Sequence, residues 1–265
     1  MPAMDEICAD LTAEGDAVDS LVADLEPAQW ELPTPAPGWT IAHQIAHITS
    51  TARMAALATA DPDTGRQAVT LSPGADFNAG VEAALAEFLT GEPAQRLARW
   101  RAERAALATA LLEAPPGRKV PWIVTDISLA SMASVGIMEL FGHGQDIADA
   151  LGVRREQTDR IRHLARFGVR MRDFAYLSHG LTPPGGEFRV ELTAPSGDQW
   201  AYGPEDAAET VTGPAVDFCL LVTRRRHRDD LSLTASGPEA DHWLDIAQAY
   251  AGPPGPGRAP GQFAR

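Results

Sequence analysis

Apolar residues recur every three or four positions over most of residues 4–177, which is the spacing of amphipathic helices. Residues 4–26, for example, carry Ile7, Leu11 and Val18 among acidic residues and alanines. Proline and glycine separate these stretches, and residues 61–80 have the composition of a loop. We predict helices over residues 4–26, 39–60, 81–113, 129–150 and 158–177, with the third divided near Gly91 and Pro93.

The pattern changes after residues 181–186 (LTPPGG), which have the composition of a linker. Residues 188–192 alternate apolar and polar side chains, and a turn at 195–198 separates them from 199–202, so a β-hairpin is predicted. Further along, the pattern indicates strands at 209–211 and 231–234 and helices at 214–226 and 239–251. We therefore predict three parts: a helical domain over residues 1–180, a small α+β domain over 187–252 and a flexible tail over 253–265.

The composition narrows the possible partners. The net charge of −14 and the pI of about 4.8 disfavour binding to nucleic acid or to anionic membranes. No stretch is long and apolar enough to span a membrane, and the acidic N-terminal residues do not resemble a signal peptide, so a cytoplasmic protein is expected. Cys8 and Cys219 lie in apolar helical stretches and are expected to be buried free thiols. The oligomeric state, monomer or homodimer, stays open.

The fourth predicted helix carries a stripe of polar residues in apolar surroundings. Glu139 and His143 are four residues apart, and Asp146 follows near the same stripe. Burying a carboxylate among apolar side chains costs several kcal/mol unless it is paired or bound to a cation. The spacing therefore fits a metal site, although a glutamate and a histidine at this spacing more commonly pair with each other or with solvent.

The second predicted helix carries a matching pair, His43 and His47, again four residues apart in an apolar stretch. If the two helices face each other, one of these histidines meets Glu139 and His143, as in the metal sites of helical bundles. Two imidazoles and one carboxylate leave a coordination position open, which is typical of catalytic zinc; nickel and iron(II) also fit this donor set. A histidine pair exposed on the surface of the helix is the competing interpretation.

Residues 38–50 (GWTIAHQIAHITS) and 138–152 (MELFGHGQDIADALG) resemble two signatures of the DinB-like superfamily, and most closely those of its mycothiol-dependent maleylpyruvate isomerase group. Residues 212–226 (TGPAVDFCLLVTRRR) resemble the smaller second domain of these proteins. The resemblance implies an α plus α+β fold, in which a DinB-like four-helix bundle precedes a small α+β C-terminal domain.

The resemblance also implies roles for particular residues. His47, Glu139 and His143 would be the ligands of one divalent metal, with zinc as the first expectation. Asp146 would lie beside the metal, where it could orient a ligand. The family often has an acidic residue where this sequence has His43, so whether His43 helps to bind the metal, binds substrate or carries a proton stays open. Arg224 and Arg225, near the end of a predicted helix, are candidates to hold an anionic group of the substrate, although cations at that position also suit the helix dipole.

Three functional hypotheses follow from the metal site. The resemblance favours an enzyme that activates a low-molecular-weight thiol, mycothiol or a similar compound, for addition to an electrophilic small molecule, as an isomerase or an S-transferase. The second hypothesis is a thiol-independent isomerase, cyclase or hydrolase in which the metal acts as a Lewis acid on a carbonyl-rich metabolite. The third is a metal-binding or sensor protein without catalysis.

Overall fold

The computed structural model describes residues 4–69, 76–123 and 125–263. The chain forms two compact units, Met1–Arg155 and Glu156–Arg265. The first is helical and the second combines helices with a four-stranded sheet, so the predicted fold class is confirmed. Within the described residues, no helix has the length and hydropathy needed to cross a membrane.

Four long helices build the first unit, and each packs against two of the others. Short helices and a two-stranded hairpin, in which β1 pairs antiparallel with β2, lie between them. The long helices are α1 Met4–Val22, α2 Ile41–Ala60, α5 Pro93–Glu113 and α6 Leu129–Leu151; the short elements are α3 Pro62–Val69, α4 Phe77–Leu85, β1 Lys119–Val120 and β2 Ile127–Ser128.

Local sequence signals set the ends of the helices that carry the polar stripes. Thr40 caps α2 in a capping box with His43 at the third helical position. Ser128 caps α6, where its hydroxyl accepts a hydrogen bond from the Ser131 amide. Gly152 ends α6 in the left-handed conformation (φ 67°), which glycine adopts without steric cost. The predicted ends of these two helices agree with the structure to within two residues.

The prediction of a loop over residues 61–80 was wrong for much of that stretch, because α3 and the start of α4 lie within it. The Asp61 carboxylate accepts hydrogen bonds from the amides of Asp63 and Thr64, with Pro62 as the first residue of α3. Asp76 caps α4 in the same way. Residues 70–75 of this predicted loop lie outside the described residues.

The second unit packs helices against a sheet with the strand order β4-β3-β5-β6. β3 is antiparallel to β4 and parallel to β5, and β5 is antiparallel to β6. Its elements are α7 Arg162–Arg170, α8 Arg172–Ser178, β3 Phe188–Thr193, β4 Gln199–Tyr202, β5 Glu209–Pro214, α9 Ala215–Val222, β6 Thr234–Ser236 and α10 Pro238–Ile246. The predicted hairpin at 188–202 is therefore present.

Residues 156–180 belong to the second unit, whereas the sequence pattern assigned them to the helical domain. The predicted helix over 158–177 is divided at Met171 into α7 and α8. Gly168 of α7 lies so close to α9 that an added Cβ would be 3.0 Å from Val222 and 3.1 Å from Phe218. This close packing places α7 with the sheet domain.

Three other predicted boundaries differ. The helix predicted over 214–226 ends at Val222, because the amides of Arg224 and Arg225 bond back to the carbonyls of Leu221 and Leu220. The strand predicted over 231–234 lies instead at Thr234–Ser236, in register with β5. The helix predicted over 239–251 ends at Ile246.

The predicted flexible tail makes specific contacts over its described part. The Gly261 amide donates to the Asp230 carboxylate at 2.8 Å, and the Arg226 guanidinium lies over the Phe263 ring at 4.2 Å from its centroid. These contacts hold the tail on the second unit although it has no regular secondary structure.

Candidate metal centre

Two adjacent helices bring the three predicted ligands together. α2 packs against α6, and the Nε2 atoms of His47 and His143 lie 3.3 Å and 3.2 Å from the same Glu139 oxygen, Oε2. Their potential ligand atoms lie within 4.8 Å of one another. The side chains are between 12% and 20% exposed, so the triad is largely shielded but reachable.

The second ring nitrogen of His143 is held by a partly buried chain of hydrogen bonds. Its Nδ1 lies 2.5 Å from Gln44 Oε1, and the Gln44 amide nitrogen donates to the Thr34 hydroxyl at 2.8 Å. The Thr34 hydroxyl donates in turn to the Trp39 carbonyl at 2.9 Å. With the Gln44 amide in this orientation, Oε1 faces His143 as an acceptor, and Nδ1 is then the ring nitrogen that carries the proton.

This proton leaves a lone pair on Nε2 of a neutral His143, and that lone pair faces the Glu139 carboxylate. A direct contact between two acceptors is repulsive, so the arrangement requires either a doubly protonated ring or a cation between the groups. A ligand histidine whose other nitrogen donates to a fixed acceptor is the usual arrangement at metal sites. The residues present therefore fit a divalent cation held by His47, Glu139 and His143.

The surroundings of Glu139 favour its ionised form. Burial alone would raise its pKa, but hydrogen bonds and charge from His143 and His47 outweigh that effect and hold the pKa below its ordinary value. Glu139 is consequently ionised at neutral pH, which is the form that binds a metal.

Trp39 forms an aromatic wall beside the triad. Its ring centroid lies 5.3 Å from that of His47 and 6.0 Å from that of His143. The indole nitrogen donates to Glu82 of α4 at 3.1 Å, which fixes the ring in place. Trp39 is itself partly exposed and packs against the candidate ligands.

The other predicted polar residues have different positions. His43 Nδ1 accepts a hydrogen bond from the Thr40 amide in the capping box of α2, and its ring lies beside Trp39. Asp146 is fully buried on α6. Among the described residues, the cluster of possible metal ligands contains neither of them, and their predicted roles beside the metal stay predictions.

Arg224 and Arg225 lie in the second unit, just after α9. Among the described residues other than glycine, Arg224 alone adopts a positive φ, 56°, and it lies two residues after the end of α9. The Arg225 guanidinium donates to the Thr223 carbonyl at 2.6 Å. Their proposed contact with an anionic substrate group stays a prediction.

Gln44 is the residue of this site that the sequence interpretation missed. The sequence did contain a signal for Gln44, because a glutamine between His43 and His47 in an otherwise apolar stretch must find a buried partner. Gly144, next to His143, allows close packing of α6, because an added Cβ would lie 2.7 Å from Val18 and 3.0 Å from Arg155.

Comparison with known proteins identifies related sequences for both units. Residues 11–148 match the family model described as mycothiol maleylpyruvate isomerase N-terminal domain, and residues 184–236 match the model described as wyosine base formation. The first match spans just over half of the chain and includes the whole triad. The second covers about a fifth of the chain.

Two full-length relatives come from Mycobacterium tuberculosis, strains CDC 1551 and ATCC 25618, and both are described as uncharacterized. Each is 50% identical over 250 residues, which is 94% of this chain and 97% of the relative. Among solved structures, mycothiol-dependent maleylpyruvate isomerase and a histidine-to-alanine mutant of it each align with a TM-score of 0.60. The alignments cover 90% of this chain and 96% of the other at 16% identity, which shows the shared fold.

Proposed function

The chain belongs to the family of the mycothiol maleylpyruvate isomerase N-terminal domain, and we propose that it is a divalent-metal-dependent enzyme that activates a low-molecular-weight thiol for addition to an electrophilic small molecule. The observation that carries this proposal is the convergence of His47, Glu139 and His143 within the matched residues. The proposed thiol is mycothiol or a close analogue, and the proposed metal is zinc, with nickel or iron(II) as chemically acceptable substitutes.

His47, Glu139 and His143 would hold the cation, which would leave a position for a further ligand and lower the pKa of a thiol bound there. The chain's own residues prepare that position. Glu139 supplies the negative charge, and Gln44 fixes the tautomer of His143. Trp39 covers one side of the triad and limits the access of water.

The chemistry beyond thiol activation has two forms. In an isomerase, the thiolate sulfur adds to one carbon of a double bond, the resulting single bond rotates, and elimination restores the double bond and the free thiol. In an S-transferase, the carbanion formed by the addition takes up a proton and the carbon–sulfur bond remains in the product. Consumption of thiol distinguishes the two forms.

Metal content is the first test. We expect the purified protein to contain about one equivalent of metal by elemental analysis, and His47→Ala and Glu139→Ala to lose it. His227→Ala, which changes a histidine of the second unit, is the matched control and should keep the metal. Retention of stoichiometric metal in both ligand variants would refute the ligand assignment.

Thiol dependence is the second test. The metal-loaded protein is mixed with mycothiol and either maleylpyruvate or an uncharged aromatic electrophile such as benzylideneacetone, and both the isomer composition and the free thiol are followed. Isomerisation at constant thiol supports the isomerase, and loss of thiol supports the S-transferase. Turnover that does not need thiol would favour the Lewis-acid hypothesis, and full metal occupancy without turnover or thiol binding would favour the non-catalytic one.

A further inference from the structure

A cavity of about 310 Å³ lies inside the helical bundle of the first unit. All four long helices contribute to its wall, so it follows the centre of the bundle. Glu139 is one of its lining residues, and the cavity therefore reaches the candidate metal centre. Its volume is at the lower end of the range found for small-molecule sites.

The interior of the cavity is apolar. Buried side chains such as Leu11, Trp100, Leu107 and Met132 form the wall, and Ala55 and Ala108 leave the space between them. Close packing normally fills such a space in a bundle core, because empty volume costs stability. A lining of this kind is suited to apolar ligands.

Most polar side chains of the lining have partners within the protein; the Trp100 indole nitrogen is buried and has no hydrogen-bond partner among the described residues. The Arg101 and Arg104 guanidiniums pair with Asp19 and Asp16 at 2.6 Å and 2.8 Å. The Thr12 hydroxyl donates to the Cys8 carbonyl at 2.9 Å, which satisfies it within α1. The arginine charges are therefore compensated, and the wall does not select for a charged ligand.

The cavity also has an opening. Thr12 of α1 and Arg101 and Ala105 of α5 are exposed although they line it. They mark a rim between α1 and α5, from which the cavity leads inward to Glu139. A ligand that enters there would have one end in the apolar interior and the other beside the triad.

We propose that this cavity binds the uncharged, apolar body of the electrophile, with the reactive carbon at the Glu139 end. An apolar cavity of about 150 Å³ holds benzene, so this one accommodates roughly twelve non-hydrogen atoms. The substrate class is then an aromatic or branched-alkyl electrophile rather than a small dianion. The orientation of the ligand rests on the proposed function, whereas its binding in the cavity does not.

The test is calorimetric titration of the full-length protein with n-butylbenzene, an uncharged probe of suitable size, with and without zinc. We expect one probe per chain. Ala55→Leu and Ala108→Leu, which fill the cavity from two different helices, should each weaken binding at least about tenfold. Ala106→Leu, on the exposed face of the same helix as Ala108, is the control and should bind like the wild type.

Three results would overturn the proposal: no binding of n-butylbenzene, unchanged binding in the filled variants, or binding of 4-butylbenzoate about tenfold tighter than that of the uncharged probe. A filled variant that does not fold is recognised by its thermal unfolding midpoint. The probe binding of the other filled variant then decides the test. His47→Ala, whose side chain is outside the lining, should lose metal and still bind the probe. Probe binding without thiol turnover would therefore refute the proposed function alone, and turnover without probe binding would refute the cavity assignment alone.

Discussion

Gln44→Met is the substitution that tests how the metal centre is organised. Methionine has a similar length and suits a buried position, but it cannot accept the hydrogen bond from His143 Nδ1. Loss of an acceptor behind a ligand histidine typically weakens metal binding 10- to 100-fold, which corresponds to about 1.4–2.8 kcal/mol. The His143 N–H that loses its partner adds a cost of about 1–3 kcal/mol to the stability of the metal-free protein.

The assay is a competition titration of zinc against a chromophoric chelator at neutral pH, together with urea unfolding of the metal-free protein. Gln145→Met is the matched control, because Gln145 is a buried glutamine close to the site that donates instead to Asp149. We expect weaker binding in Gln44→Met and no more than about a threefold change in the control. A Gln44→Met protein that folds and binds zinc like the wild type would refute the proposed role of the hydrogen-bond chain.

Four other predictions concern separate features. Glu14→Ala should lower the free energy of unfolding by about 3–5 kcal/mol, because it leaves the Arg155 guanidinium buried without its partner at 2.5 Å. Asp126→Ala breaks the exposed pair with Arg66 and should cost about 1 kcal/mol or less in the same urea titration. Burial and Glu239 raise the pKa of Tyr176 to about 12 from 10.0, so the folded state holds this proton more tightly than the unfolded chain does. The resulting stability is present below pH 10 and is lost as the pH rises toward 12, and ultraviolet titration of Tyr176→Phe should lack one tyrosinate transition near pH 12. Binding of Cu²⁺ or Ni²⁺ at the triad should quench the fluorescence of Trp39. Trp39→Phe should remove most of that quenching, although five of the six tryptophans remain. Undiminished quenching in this variant would place the metal elsewhere.

Periodicity predicted the helices that carry the site, because α2 and α6 have clear caps and continuous apolar faces. It did not predict α3, whose eight residues form a helix through the hydrogen bonds of Asp61 rather than through an apolar stripe. It also could not assign residues 156–180 to their unit. That assignment depends on the close approach of Gly168 to α9, which is a long-range contact.

The candidate site also combines features that the sequence predicted with features that depend on tertiary contacts. Helical spacing placed Glu139 and His143 on one face, and the family signatures supplied His47 as their partner. The protonated nitrogen of His143 could not be predicted, because it depends on a chain through Gln44 and Thr34 that forms only when α2, α6 and the preceding loop pack together. The indole of Trp39 beside the triad likewise depends on Glu82 of α4.

The distribution of the ligands along the chain has a consequence for folding. His47 and Glu139 are separated by 139 − 47 = 92 positions, and the intervening segment contains α3, α4 and α5. A metal bound to both residues is a reversible cross-link across that segment, and closing a loop of about 100 residues removes roughly 4–5 kcal/mol of chain entropy from the unfolded state. If a cation binds the assembled triad as proposed, its free concentration would set the stability of the bundle by mass action. Removing the metal should therefore increase amide hydrogen exchange in α2 and α6 before it affects the second unit.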